Sequence, residues 1–487
     1  MTPVSLTRSA LALACAGLLA GCASLAPSYA RPDAPVPATF ANGEGSSRGS
    51  GDAIANVASL DWRQVFLDPR LQHVIAQALE HNRDLRVAVL NIDKARAQYR
   101  IQRADLFPSV SVSGSQSASR SSAATSLSGR SEVARTYAAD VGISSWELDL
   151  FGRIRSLKDE ALETYLATAQ TQRSTRLSLV AEVAADWLTV AADQQRLALA
   201  QQTLDSQRRT MALTEARHRE GIASGLDLAQ VQTSVESARA DVASYTTQLA
   251  TARNALDLVV GAPVPADALP QAGALEGGIA LAPLPAPLES RVLLQRPDVL
   301  YAEHTLKSAN ADIGAARAAF FPTISLTAST GRSSSALSSL FDAGNRTWSF
   351  VPSISVPIFR AGALKAQLDV ARITRDVNIA SYEKAIQSAF SEVADALATR
   401  AQLDERMDAQ RALVAVTQRS YDLAEARYRN GVDSYLDALD SQRSLYAAQQ
   451  DMITLRLTEA GNRVTLYKVL GGGADAQSGE SVADAAR

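Results

Sequence analysis

The sequence predicts a mainly α chain with β-strands: long antiparallel helical hairpins and four strands, arranged in two similar halves. Three observations predict it. Arg153 to Glu220 and Ala363 to Asn430 are each 68 residues without glycine or proline. The stretches EARHREGIASGLD (215–227) and EARYRNGVDSYLD (425–437) share eight of thirteen residues at an offset of 210. Ahead of each glycine-free run lie segments whose apolar residues alternate with Ser, Thr and Gly, a period of two rather than 3.6.

Residues 1–21 combine a basic Arg8 with an apolar run from Ala10 to Ala20, too short to span a bilayer permanently and right for an export signal. The run ends in Leu19-Ala20-Gly21-Cys22, which resembles the lipobox of bacterial lipoproteins, with Cys22 as the acylated first residue of the mature chain. Cys15 lies in the removed segment, so the mature chain keeps one cysteine and has no internal disulfide. Residues 22–60 then form a lipidated leader, extended or mobile because it is rich in Pro, Gly, Ser and Ala. Its Gly45-Ser46-Ser47-Arg48-Gly49 spells GxSxG but lacks the strand before and helix after that a nucleophile elbow needs.

The first repeat is expected over residues 61–262, with strands at about 107–118 and 134–150 and a helical hairpin over 153–260. A Pro-rich linker, 263–287, leads to a second repeat over 288–471, with strands at about 321–331 and 346–359 and a hairpin over 363–470; residues 472–487 form a flexible tail. Apolar residues at helical steps, such as Val180, Val183, Trp187, Val190 and Ile386, Phe390, Val393, Leu397, give each long helix one buried stripe. At about 1.5 Å per residue each helix reaches roughly 100 Å, several times a hydrocarbon core of about 30 Å, and charges interrupt both. Most of that length must stand in water.

Gly221 and Gly431 end the long helices, and Ser224 with Asp227 and Ser434 with Asp437 read as capping boxes that open the return helices, at Leu226 and Val432. The returns close with LVVGAP and KVLGGG in the same 210-residue register. The strands have one apolar face and one face of Ser, Thr and Gly, which fits a barrel with lipid outside and water inside. Four strands cannot close such a barrel, so copies must be pooled: two give eight strands and a filled interior, three give twelve and a lumen, which a transport role favours. Trp348, Phe350, Tyr137 and Trp146 are either interfacial aromatic belts or ordinary strand faces.

Composition excludes much else. A net charge of −3 gives no nucleic-acid surface. His73, His81, His218 and His304 are scattered, Cys–His metal spacing is absent, and neither a phosphate-binding nor a dinucleotide-binding glycine loop occurs. No catalytic residue, metal or cofactor is therefore expected apart from the covalent lipid on Cys22.

With these elements, LLQRPDV (293–299), ARAAFFPTISL (316–326) and ARYRNGVDSYLDALDSQRSLY (426–446) make nearly the whole mature chain resemble the TolC-type outer-membrane factors, specifically the lipidated branch serving tripartite drug efflux. The resemblance implies a homotrimer with a twelve-stranded outer-membrane β-barrel, continuous with a helical periplasmic tunnel closed at its tip. It implies a periplasmic adaptor and an inner-membrane efflux pump as partners, and export of drugs or other small molecules. Ala23, where enteric inner-membrane lipoproteins tend to carry Asp, agrees with the outer membrane as destination. By the same resemblance Tyr428, Asp433, Asp437 and Asp440 fall at the periplasmic constriction, with Arg443 bracing Asp440, while the turns at Gly221, Ser224, Gly431 and Ser434 meet the adaptor. For Asp437 a helix cap is an equal alternative, and Tyr428 and Asp433 equally suit a solvated turn. Asp440 lies beyond the first helical turn, and its counterpart in the first repeat is Gln230.

Two rivals remain at this point. A lipidated periplasmic adaptor would carry one hairpin between lipoyl-like halves, not two hairpins each flanked by amphipathic strands. A lipid-anchored hydrolase would have only the misplaced Ser47 as nucleophile. The leader generates the first prediction: Cys22→Ser abolishes incorporation of radiolabelled palmitate, and label retained by the variant would overturn the lipobox assignment.

Overall fold

The computed structural model describes residues 24–40, 61–125, 129–271, 273–276 and 289–472. The export signal, Cys22, the 45–49 motif, residues 272 and 277–287 of the linker and all of the tail but Gly472 lie outside the described residues. The described α-helices are α1 (Trp62–Val65), α2 (Pro69–His81), α3 (Arg83–Ala104), α4 (Arg153–Arg219), α5 (Gly225–Val260), α6 (Pro297–Ala318), α7 (Ala363–Arg429) and α8 (Tyr435–Val469). The described strands are β1 (Val110–Ser121), β2 (Glu132–Glu147), β3 (Thr323–Ser334) and β4 (Arg346–Ser355). None of the described helices is long and apolar enough to cross a membrane.

Several boundaries differ from the sequence expectation for identifiable reasons. β1 and β3 begin after Pro108 and Pro322, not at Phe107 and Phe321, because proline has no N–H for the ladder and Phe107 and Phe321 still turn back on the preceding helices, bonding Ala104 and Ala318. β4 stops at Ser355, before Pro357, not at Phe359. β2 ends at Glu147, where the Leu148 N–H makes a last bond to the Ile324 carbonyl. The second return helix starts at Tyr435, three residues later than Val432, because Gly431 to Ser434 are spent on the turn.

The chain divides into two compact units. The first gathers the described residues among 24–33, 92–168 and 302–382. Its four strands form one antiparallel sheet in the order β1-β2-β3-β4. Registers such as Val112 with Val141, Gly142 with Ser329 and Ser325 with Ser353 hold the alternating faces in phase. One bulge interrupts β2 at Ser145, which takes φ 51° and donates its N–H to Thr327 Oγ1 at 3.1 Å. Pro352 is tolerated because β4 is an edge strand within one chain. Trp348, Phe350 and Ile354 share one face of β4, with Trp348 76% exposed. Below the sheet, Arg153 grips Glu147 through two bonds of 2.9 and 2.5 Å, and Phe151 stacks on Phe321 at 4.7 Å. Residues 24–31 of the leader lie extended along α6 in this unit.

The second unit gathers the described residues among 34–91, 169–301 and 383–472 and holds the largest core among the described residues. On α2, Leu71, Val74, Ile75 and Ala78 recur at i, i+3, i+4, i+7 and are all fully buried, a single helical stripe. They join Val180, Val183, Ala184, Trp187 and Leu188 of α4, Leu256 and Val260 of α5, and Val464 and Tyr467 of α8 in one cluster. Trp187 is fully buried and satisfies its indole N–H on the Ala268 carbonyl at 3.1 Å. Gly261 and Gly471, 210 residues apart, end α5 and α8 in the left-handed conformation, φ 77° and 75°. Arg296 of the LLQRPDV stretch is buried and donates to the Val469 carbonyl, the last of α8, at 2.8 Å, while pairing with Asp298 and Glu392 at 2.7 Å each.

Trp187 is the largest fully buried side chain of the cluster, so Trp187→Ala opens a cavity there. The expected cost is about 3–5 kcal/mol, measured as a lowered denaturation midpoint of the detergent-solubilised protein.

Candidate functional site at the hairpin tips

The two turns share the same closing backbone bonds. After α4, the Gly221 N–H donates to the His218 carbonyl at 3.0 Å and the Ile222 N–H to the Arg217 carbonyl at 2.8 Å. After α7, the Gly431 N–H donates to the Tyr428 carbonyl at 3.0 Å and the Val432 N–H to the Arg427 carbonyl at 2.9 Å. Both are Schellman closures, whose C′ residue must be left-handed; the glycines sit there at φ 74° and 73°. A side chain at either position would be strained even though open space surrounds it.

The side chains then break the symmetry. At the first turn, the capping box is complete: Asp227 N–H donates to Ser224 Oγ at 3.0 Å, and Ser224 N–H donates to Asp227 Oδ2 at 3.0 Å. His218 adds a ring-nitrogen bond to the Ala223 carbonyl at 2.9 Å. At the second turn, the expected box is not formed. Ser434 Oγ donates to Asp437 Oδ2 at 2.8 Å but accepts no backbone N–H. Instead Asp433, whose counterpart is Ala223, pairs with Arg427 in a two-pronged contact, one prong 2.7 Å. The Arg427 guanidinium hydrogen-bonded to it holds the Asp433 carboxyl below the usual carboxylate range.

Arg427 and Arg217 occupy equivalent positions, 210 residues apart, yet do different things. Arg427 folds back on its own turn, whereas Arg217 reaches across to the other hairpin. It donates to the Tyr428 carbonyl at 3.1 Å and the Arg429 carbonyl at 2.7 Å, and lies 5.0 Å above the Tyr428 ring. These carbonyls are in the last turn of α7, where orphan acceptors and the negative end of the helix dipole favour a cation. Tyr428 is therefore not a solvated turn residue. It is 8% exposed, its hydroxyl lies 2.9 Å from Thr214 Oγ1, and its ring packs on Tyr435 at 5.5 Å. Tyr435 passes the network on to Gln207 at 3.1 Å, and burial pushes its phenol up.

Asp440 stands apart. Its side chain is 66% exposed, and Arg443 approaches only to 4.0 Å, a separation at which an exposed pair contributes little. The structure thus brings Tyr428 together with Arg217 and Asp433 together with Arg427, and leaves Asp440 and Arg443 on open helix surface. Arg217, Thr214 and Gln207 were missed by the sequence reading. The available signal was the comparison of repeats, in which His218 is replaced by the apolar-bodied Tyr428 and Gly225 by Tyr435. Among the described residues no group of His, Cys, Asp and Glu side chains is placed to hold a metal ion.

Two hairpins, a strand pair beside each and a 210-residue repeat now stand together. The sequence profile described as "Outer membrane efflux protein" matches residues 74–262 and 288–472. This chain belongs to that family. It is 48% identical over 476 residues to the "Toluene efflux pump outer membrane protein TtgC" of Pseudomonas putida, covering 98% of each chain. It is 41% identical over 474 residues to the "Cation efflux system protein CusC" of Escherichia coli O157:H7, covering 97% of this chain and 99% of that one. Among solved structures, the open state of the Neisseria gonorrhoeae MtrE outer membrane channel matches with a TM-score of 0.83 and 40% identity over 93% of this chain and 99% of that one. The protein is thus an outer-membrane efflux channel and not an enzyme, and both rival readings fall. It acts as a homotrimer, whose pooled strands form the barrel and whose hairpins form the periplasmic tunnel, and it works with an adaptor and an inner-membrane pump.

Arg217 ties the second hairpin to the first through backbone carbonyls, so Arg217→Ala should loosen that tip by about 1–2 kcal/mol, the lower range for charge-assisted bonds because the group is half-exposed. Arg217→Lys should recover only part of the loss, since an ammonium lacks the fork that spans two carbonyls. Limited trypsin digestion of the purified trimer, read as the rate of cleavage after Arg427 and Arg429, measures both.

Proposed function

We propose that the second hairpin is the moving gate of this channel, that its tip aspartates face the lumen, and that the trimer is additionally anchored by lipid on Cys22. One observation carries the gate: both turns are closed by bonds within themselves, and the carbonyls that end the second hairpin's α7 are in addition held by Arg217 of the first. A hairpin held by a few cross-bonds can swing when they are released, as bistable elements at gates do. Tyr428 and Asp433 then act as latch residues with Arg217 and Arg427, and Gly221, Ser224, Gly431 and Ser434 shape the ends that an adaptor meets. The division into two pseudo-equivalent repeats, 61–262 and 288–471, belongs to the same reading.

Threefold symmetry turns Asp440, and Asp437 beside it, into rings of carboxylates. Crowded like charges are relieved by cations or by separation, so a closed tip passes cations in preference to anions and gains from opening. The cargo is read from relatives named for toluene, solvent and antibiotic efflux, at 45–48% identity. We take small apolar organic compounds as the transported class. The cation-efflux relative at 41% supports a second reading, but no described cluster of metal ligands accompanies it.

In planar bilayers, Asp440→Asn should lower the cation preference of the closed-state conductance severalfold at low salt, with less effect at high salt where screening is strong. Asp437→Asn should change selectivity in the same direction if it faces the lumen. A role confined to accepting the Ser434 hydroxyl instead gives unchanged selectivity with a stability loss of roughly 0.5–1.5 kcal/mol. Wild-type selectivity in both variants would remove the aspartate ring.

A further inference from the structure

Pairing across the sheet sorts the charged strand residues by sign. Val112, Val141, Thr330 and Trp348 stand in one row of the register, and Gly114, Ala139, Arg332 and Arg346 in the next row on the same face. This is the apolar face, on which Val112 is 80% exposed. Side chains alternate between faces, so it also carries Arg135, opposite Ala118, and Arg120, opposite Val133. The acids of the strands, Glu132, Asp140 and Glu147, fall on the other face, opposite Ser121, Ser113 and Ser325. The Asp140 carboxylate lies where a Cβ at Gly331 would stand, which fixes its direction. In a barrel with a wet lumen the apolar face meets lipid. The strand arginines therefore point outward and the strand acids inward.

The arginines also share one end of the sheet. Each lies within three residues of the end at which its strand meets a β1–β2 or β3–β4 turn, while the opposite strand ends lead to α3, α4, α6 and α7. Because the helical tunnel is periplasmic, the arginines stand at the extracellular rim. An outward cation is strongly disfavoured at the bilayer midplane and tolerated near the headgroups, so these residues belong where the hydrocarbon ends. Arg332 and Arg346 are direct cross-strand partners, a like-charged pair that by itself destabilises a ladder. Arg332 donates to the carbonyls of Phe341 and Asp342, the latter at 2.8 Å, and Arg120 donates to Ser131 Oγ at 3.1 Å; these acceptors are neutral. The two turns add one charge of each sign, Arg130 and Asp342. An anion seated between Arg332 and Arg346 turns their repulsion into a bridge, and the planar guanidinium fork matches phosphate oxygens. We infer that this outward rim, with Arg332 and Arg346 at its core, binds the phosphate groups of phosphorylated lipopolysaccharide in the outer leaflet. In the homotrimer the rim encircles the barrel and sets its height in the membrane. Trp348, one outward step below Arg346, and Tyr137, one outward step below Arg135, are then its interfacial aromatic belt.

The test uses the full-length trimer, purified in non-ionic detergent and stripped of bound lipid by detergent exchange. Lipid A carrying both phosphates, lipid A with its phosphates removed, or phosphatidylglycerol is added, and bound lipid is counted by native mass spectrometry over a concentration series. The wild type should hold bis-phosphorylated lipid A at least about tenfold more tightly than either other lipid. Arg332→Gln combined with Arg346→Gln should weaken that binding about tenfold or more and leave the dephosphorylated lipid unaffected. Lysine at both positions should recover only part of the loss, because an ammonium keeps the charge without the fork. Asp140→Asn, on the inward face, should bind lipid A as the wild type does. Trimer mass is read in the same spectra, so lost binding is separated from a lost barrel, and the comparison of three lipids on the unaltered protein needs no variant at all. Equal retention of dephosphorylated lipid A by the wild type overturns the rim as a phosphate site. Equal retention of phosphatidylglycerol overturns lipopolysaccharide as its occupant and leaves a general attraction for anionic lipid. Unchanged binding in the double variant, with the trimer intact, overturns Arg332 and Arg346 as the core of the site.

Discussion

A four-stranded sheet has two open edges, and hydrocarbon offers nothing to pair them. Each unsatisfied backbone group in a bilayer costs several kcal/mol, so β1 and β4 of one chain must meet the strands of other copies. The sheet order β1-β2-β3-β4 makes that closure simple, because both outer strands are already antiparallel to their inner neighbours. Twelve pooled strands leave a lumen that eight would fill. Everything periplasmic follows from this requirement. A pore held open by symmetry leaks unless something closes it, and the long hairpins extend the wall to a place where closing is possible.

Duplication supplies the wall economically and then limits it. Two identical turns would make two identical tips, with nothing to distinguish a fixed element from a moving one. The backbone of both turns has indeed been kept, down to the Schellman bonds and the left-handed glycines. The side chains have diverged within that frame. His218 and a full capping box close the first turn upon itself, while Tyr428 and Tyr435 of the second turn pack against Thr214 and Gln207 of the first hairpin. Arg217 and Arg427 are the sharpest case, one residue type at one repeat position making contacts in opposite directions.

The helix ends elsewhere are treated with the same care. Arg296 covers the last carbonyl of α8 and is itself neutralised by Asp298 and Glu392, which gives the LLQRPDV stretch a physical role beyond family signature. Glu303 is its acidic complement in the other unit, a buried carboxylate whose partners come largely from outside its own helix. Both are charges whose burial makes sense only when a distant part of the sequence has arrived.

The sequence by itself determined the elements. Glycine-free runs, period-two strands, the 210-residue repeat and the glycines at 221 and 431 are local statements about backbone preference, and local preference survives into the fold. Even the boundary errors were local: Pro108, Pro322 and Pro357 trimmed the strands because proline cannot donate to a ladder, and the Gly431–Ser434 turn delayed α8. Tertiary structure alone decided which charges matter. That Tyr428 is buried, that Arg217 crosses between hairpins while Arg427 does not, and that leader residues 24–31 are docked and not loose all depend on contacts between residues more than a hundred positions apart, or on which of two equivalent partners is nearer. Side-chain hydrogen bonds and ion pairs have no sequence period, so their partners become legible only once the helices have been packed.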